Sequence, residues 1–182
     1  MQIRLELLEE DDYSKIVEWN QNKDADFLFQ WAGPGYIYPI NEKQIAQRIE
    51  TRAKKDEADT YIYKITDENN KMLGTIELDN LNKEKRTATV ARFLIDENLR
   101  GRGLGKKALR LLVEKAFKNF DISEMDLRVL EFNTRAIRCY EKVGFEKTNF
   151  VSNSKQTLNG NWWGTYDMKI KFDKQGSCKT FF

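Results

Sequence analysis

The feature that most limits the fold is the passage from residue 87 to residue 120, where a strand-like run becomes a helix across a basic, glycine-rich loop. Residues 87–95, Thr-Ala-Thr-Val-Ala-Arg-Phe-Leu-Ile, are rich in β-branched and apolar side chains. From Gly103 onward Leu104, Ala108, Leu111, Leu112 and Ala116 recur at helical spacing to about Phe120. The loop between them holds Gly101, Gly103 and Gly105 beside Arg100, Arg102, Lys106 and Lys107. The first amides of a helix lack intrahelical partners and sit at the positive end of its dipole, so this context suits a phosphate. A further strand-like run at 125–131 completes a βαβ unit.

The rest of the chain fits around that unit. Residues 3–8 read as a strand, and Asp11-Asp12 open a helical pattern with Tyr13, Ile16, Val17 and Trp19. Residues 27–39 contain both prolines and many aromatics, which predicts an ordered loop. Asn41, with Gln44 three residues on, resembles a capping box that starts a second helix through Ile45 and Ile49. Runs at 61–65, 73–81 and 87–95, separated by polar turns at 67–71 and 82–85, predict an antiparallel meander. Asn133 caps a short helix bearing Ala136, Ile137 and Tyr140, which Gly144 ends, and strands at 145–151 and 162–172 follow. The expectation is one α/β (α+β) domain over residues 1–172, with residues 173–182 as a tail committed to no element.

Composition removes whole classes of chemistry. The chain has no histidine, which excludes Ser-His and Cys-His nucleophilic catalysis and nearly every zinc site, so no metal is expected. Its 31 basic and 29 acidic side chains leave a net charge of +2, which argues against nucleic acid or an anionic membrane as partner. Cys139 and Cys178 are too few for a disulfide framework and are expected as free thiols. The first residues lack the apolar core of a signal peptide, and no apolar run reaches the ~20 residues that span a bilayer, so the cytoplasm is the expected compartment.

Spacing separates the phosphate loops that could be meant. A Walker loop needs four residues between its glycines and then Lys-Ser/Thr, whereas Gly101 and Gly105 enclose only Arg102, Gly103 and Leu104, and Lys107 stands in the hydroxyl's place. A dinucleotide fingerprint places its last glycine further on and follows an early parallel strand. The pattern Arg100-x-x-Gly103-x-Gly105 instead resembles the pyrophosphate loop of GNAT acetyltransferases. A second segment, Asn133-Thr-Arg-Ala136-Ile-Arg-Cys-Tyr140-Glu-Lys-Val-Gly144-Phe145, resembles that family's Asn-x-x-Ala-x-x-x-Tyr-x-x-x-Gly-Phe signature one strand later. The Asn159-Gly160 turn before Trp162 is similar to the branch that includes ribosomal-protein N-terminal acetyltransferases.

The resemblance implies a mixed, mainly antiparallel central sheet flanked by helices, with a splayed strand pair that receives acetyl-CoA. The cofactor site would use the backbone of Phe93, Leu94 and Ile95, the loop residues Arg100, Gly101, Arg102, Gly103, Leu104, Gly105 and Lys106, and Asn133 and Tyr140. A backbone amide would polarise the thioester carbonyl, an amine would attack directly, and Tyr140 would serve the departing sulfur as general acid. No carboxylate lies on the run at 87–95, so Glu77 is the candidate base and Glu131 the second choice, although the alternation Thr75, Glu77, Asp79 also reads as a solvated face. Cys139 reads as packing, having no histidine to activate it. Trp31, Tyr36 and Tyr38 fall where the family builds its acceptor pocket, as do Trp162 and Trp163. The amine acceptor is the expected partner, and exposed strand edges leave room for a homodimer. The alternative is a non-catalytic acyl-CoA-binding regulatory module.

Overall fold

A computed structural model describes residues 1–53 and 58–172. The tail at 173–182 and Cys178 lie outside the described residues. Seven strands form one sheet: β1 (Ile3–Leu7), β2 (Tyr61–Asp67), β3 (Met72–Asn82), β4 (Thr87–Ile95), β5 (Glu124–Leu130), β6 (Glu146–Gln156) and β7 (Trp162–Lys171), in the order β1-β2-β3-β4-β5-β7-β6. Every neighbouring pair is antiparallel except β4 and β5, which the helix α4 (Leu104–Phe120) connects as a parallel crossover. The meander and the βαβ unit are thus both present.

Each face of the sheet buries its own core. On one side α4 sends Leu104, Ala108, Leu109, Leu112, Val113 and Ala116 onto Tyr63, Ile65, Leu73, Ile76, Leu78 and Val90. The i, i+4, i+5, i+8 recurrence places these residues on one stripe, and each fully buried leucine contributes about 1.5–3 kcal/mol. On the other side α1 (Tyr13–Asn20), α2 (Ala25–Ala32) and α3 (Glu42–Arg48) pack Ile16, Leu28, Trp31 and Ile45 onto Ile62, Met72 and Leu94. A short helix α5 (Thr134–Glu141) closes the chain's path from β5 to β6.

Three expectations are corrected here. Much of the aromatic segment at 27–39 is helical, because the Asp24 carboxylate accepts the Phe27 N–H at 2.7 Å and buries Leu28, Trp31 and Ala32 at helical spacing before Gly33 (φ 58) and Pro34 end the helix. Asn41 does cap α3, accepting from Gln44 N at 3.1 Å, yet the Gln44 side chain does not complete a capping box. It turns outward to bond the backbone of Ile37 and Pro39, fixing the preceding loop, and α3 passes at Ile49 into a π-helical turn, Ile49–Ala53. Finally, Thr75, Glu77 and Asp79 are not a solvated face. They are buried, since α3 lies across that side of β3.

Candidate active site

Beyond Ile95 the Asp96 side chain caps a 3-10 turn, Glu97–Leu99, and the Arg100 Nε donates to Ile95 O at 3.0 Å, which folds the loop back on the end of β4. Gly101 (φ 83) and Gly103 (φ 76) are left-handed, and a Cβ on either would meet no atom within 4 Å. Both open onto free space at the N-terminus of a 17-residue helix, the geometry a pyrophosphate needs to reach backbone amides. Gly105 differs: its missing Cβ would lie 3.5 Å from Cys139 Sγ and 3.6 Å from the Phe93 ring, so this glycine seats α4 closely on β4 and α5. Burial, and then the charge of nearby Arg135, lowers the Arg100 pKa. Leu104 is a core residue that offers the loop only its backbone.

Next to this loop the sheet comes apart. Pairing between β4 and β5 is confined to Thr87, Thr89 and the residue between them, against Glu124 to Asp126. Past that point β5 continues against β7 as far as Leu130, while β4 continues against β3 with a bulge. Glu77 faces Ala91 and Thr75 faces Leu94, so Arg92 and Phe93 together oppose Ile76 alone. Arg92 has φ 42, a conformation that costs a non-glycine residue on the order of 1–2 kcal/mol. Phe93 and Ile95 pack toward α4, and Leu94 is buried under α1 to α3.

The short helix α5 supplies the remaining residues on the cofactor side. Asn133 accepts the Ala136 N–H at 3.2 Å as N-cap, and its own N–H bonds Leu130 O. The helix ends with Gly144 (φ 109) and Phe145 both donating to Tyr140 O. Tyr140 packs against the Phe145 ring, and its hydroxyl has no hydrogen-bond partner among the described residues. Burial, and then neighbouring Cys139, pushes its phenol above the ordinary value, so it stays protonated at neutral pH. Burial also raises the Cys139 thiol, which makes it a packing residue.

On the opposite side the structure divides the aromatics. Trp31 (9% exposed) and Tyr36 (8%) belong to the second core, with Trp31 Nε1 donating to Asn20 Oδ1 at 3.0 Å. Where the resemblance implied a pocket wall, both rings lie in the core, and Trp31 joins α2 to α1 through Asn20. Tyr38 (50% exposed) lines an open cleft with Asn20, Asp24 and Ile40. Trp162 is exposed, and Trp163 packs at a tilt against Phe132, 4.6 Å between centroids, just past the end of β5. Glu131 accepts from Gly164 N at 2.7 Å and so ties β5 to β7. Across the opening the Asp26 carboxylate accepts the Leu158 N–H, and Lys155 lies over the Phe29 ring, joining α2 to the tip of the β6–β7 hairpin.

Glu77 sits in a cluster that the sequence reading missed. Arg48 of α3 donates Nε and Nη2 to its two oxygens at 3.1 and 2.7 Å, and Arg92 Nη1 donates at 2.9 Å. Both arginines also reach Asp79, at 3.1 and 3.0 Å. Burial would raise the Asp79 carboxyl, but the Thr60 hydroxyl, Arg48, Arg52 and Arg92 outweigh it and hold it at about 2. Burial, then Glu77, pushes the adjacent Tyr36 phenol up. Nothing in the local pattern around Arg48 announces a partner 29 residues away, so only the packing of α3 on β3 reveals it.

The acetyltransferase (GNAT) family profile matches residues 10–145. An N-acetyltransferase 9-like protein of Caenorhabditis briggsae is 30% identical over 96 residues, 50% of this chain and 48% of the relative. The spermine/spermidine N(1)-acetyltransferase of Bacillus subtilis is 39% identical over 70 residues, 38% of this chain and 45% of the relative. The chain thus spans about half the length of these two curated relatives. Among solved structures, the spermidine N-acetyltransferase of Vibrio cholerae in complex with CoA and spermine superposes with a TM-score of 0.80 at 19% identity, covering 93% of this chain and 95% of that one, and a dodecameric form of the Vibrio enzyme has been solved. The matched stretch takes in both the glycine-lined start of α4 and the Asn133 to Phe145 segment, and the chain belongs to the GNAT family of acetyltransferases.

Proposed function

We propose that the chain transfers an acetyl group from acetyl-CoA to a primary amine by direct attack in a ternary complex, without an acyl-enzyme. The observation that carries this reading is the wedge between β4 and β5, which opens where Gly101, Gly103 and the first amides of α4 converge. The thioester supplies an activated acyl group whose C–S bond breaks as the amine nitrogen bonds to the carbonyl carbon. Arg100, Arg102, Lys106 and the α4 amides hold the pyrophosphate. The bulged stretch of β4 from Arg92 to Ile95 presents backbone groups to the wedge, and Asn133 steadies the start of α5. Tyr140, protonated at neutral pH as any phenol of pKa near 10 is, donates a hydrogen bond to the departing sulfur; a thiol of ordinary pKa near 8.5 needs only such modest help.

The acceptor class that fits best is a flexible amine with more than one cationic nitrogen. It is supported by the spermine- and spermidine-acting relatives. We place the reaction in the cytoplasm, and a second copy along the outer edge of the sheet, where every residue of β6 except Lys155 is exposed and Phe150, Val151 and Trp162 are open to solvent. The test is calorimetric binding of acetyl-CoA followed by thiol release against polyamines, aminoglycosides and peptide N-termini. Amine-dependent release with polyamines is the expected outcome. Binding without release for every amine favours a regulatory acyl-CoA-binding module, and no binding refutes the reading.

A further inference from the structure

We infer that Glu77, Arg48 and Arg92 are positioning residues, a buried ionic clasp that holds the β4 bulge in its acetyl-accepting shape and locks it to the acceptor-side loop at Gly33–Gly35. This inference rests on the acetyl transfer proposed above and gives Glu77 a role other than general base.

The geometry leaves Glu77 no capacity to take a proton from an amine. Its side chain is 2% exposed, and each oxygen already accepts from a guanidinium: Arg48 on both, Arg92 on the second. Removing one partner of such a pair leaves an uncompensated buried charge, so the members stand or fall together. The clasp reaches three elements. Arg48 is the last residue of α3, Glu77 and Asp79 are on β3, and Arg92 is the left-handed residue of the β4 bulge. A bulge residue with positive φ persists only where its surroundings over-determine it, and here the side chain is fixed by two carboxylates at 2.9 and 3.0 Å.

The fourth contact is with the loop. A Cβ at Gly35 would overlap Nε, Nη2 and Cζ of Arg92, so the loop lies directly on the guanidinium. Arg92 Nε is buried without a hydrogen-bond partner, consistent with a group whose outer edge is roofed by an α-carbon. Gly35 adopts an ordinary backbone conformation, so its small size is needed for the seating of Arg92 and for no turn of its own. Tyr36, the next residue, is buried beside Glu77 and joins the loop to the same cluster. A displacement on the amine side is thereby transmitted to the strand that carries the acetyl group.

Two variants separate this role from that of a base. Glu77→Gln removes the charge, whereas Gly35→Ala disturbs Arg92 while leaving every titratable group in place. Both are expected to lower kcat about tenfold with the KM for amine nearly unchanged, and to leave the pH–rate profile at its wild-type position. The double variant should be no slower than the slower single one, because both act through the same guanidinium. Hydrogen exchange at the amides of residues 91–95 should rise in both variants and not in β2. If Glu77→Gln does not fold, Asp79→Asn and Gly35→Ala carry the test. Loss of the acidic limb of the profile in Glu77→Gln would make Glu77 the base and overturn the inference, as would wild-type turnover in Gly35→Ala. Absence of turnover in the wild type would refute acetyl transfer, and the clasp would then be judged on amide exchange alone.

Discussion

The two sides of the parted strands are built on different principles. The side proposed for the cofactor is built from backbone: left-handed glycines, the free amides of α4 and a capped short helix. Such a site needs a fixed string of small and capping residues, and Arg100 to Gly105 and Asn133 to Phe145 carry it in contiguous sequence. The side proposed for the acceptor is assembled by contacts between distant segments, with Arg48 on Glu77 across 29 residues and Asp26 on the Leu158 amide across 132. A site for a common cofactor can be written locally, whereas one that selects among amines is assembled by tertiary packing.

Four experiments bear on that contrast, the last of them on an acid of the clasp. The largest effect is expected for Trp31→Ala, which should destabilise the fold by about 3–5 kcal/mol in chemical denaturation, since Trp31 is core and not pocket. A loss of amine affinity with unchanged stability would restore Trp31 to the acceptor site. Next, Gly103→Val places a β-branched residue at φ 76 and should weaken acetyl-CoA binding about a hundredfold, or ~2.7 kcal/mol by calorimetry, while KM for amine shifts little. Tyr140→Phe should lower kcat by about ten- to a hundredfold at constant acetyl-CoA affinity, the mark of a contact that matters when the sulfur departs.

The smallest effect concerns acid. The Asp79 carboxyl is at about 2 in the folded protein against an ordinary value of 3.8, so the folded state takes up a proton less readily than the unfolded chain. Its contribution to stability is therefore complete above about pH 4 and is lost as the pH falls toward 2. Unfolding midpoints followed from pH 5 to pH 2 should show that loss, and Asp79→Asn should flatten it. An unchanged slope in the variant would mean that the clasp on the acceptor side does not set the acid limit.

Most of the fold was legible because its signals are local. The β-rich run at 87–95, the helical stripe of α4 and the caps at Asn41 and Asn133 each predicted the element that is present. The aromatic segment misled because its two prolines and two glycines crowd its second half, masking a helix that Asp24 caps three residues before Phe27. Glu77 and Asp79 misled for another reason. Charged residues at alternate positions signify a wet strand face unless arginines from elsewhere neutralise them, and Arg48 and Arg92 supply that neutralisation from α3 and β4.

The short junction between β4 and β5 also has a mechanical consequence. Three residue pairs, from Thr87↔Glu124 to Thr89↔Asp126, stitch a four-stranded half of the sheet to a three-stranded half, so the molecule has a seam through its middle. A ligand lodged in the open part of that seam bridges both halves and carries load the strands do not share. Its binding energy then adds directly to resistance against unfolding, about 2.7 kcal/mol at a hundred times Kd. Pulled or heated, the empty protein should tear along this line first, and the loaded one elsewhere.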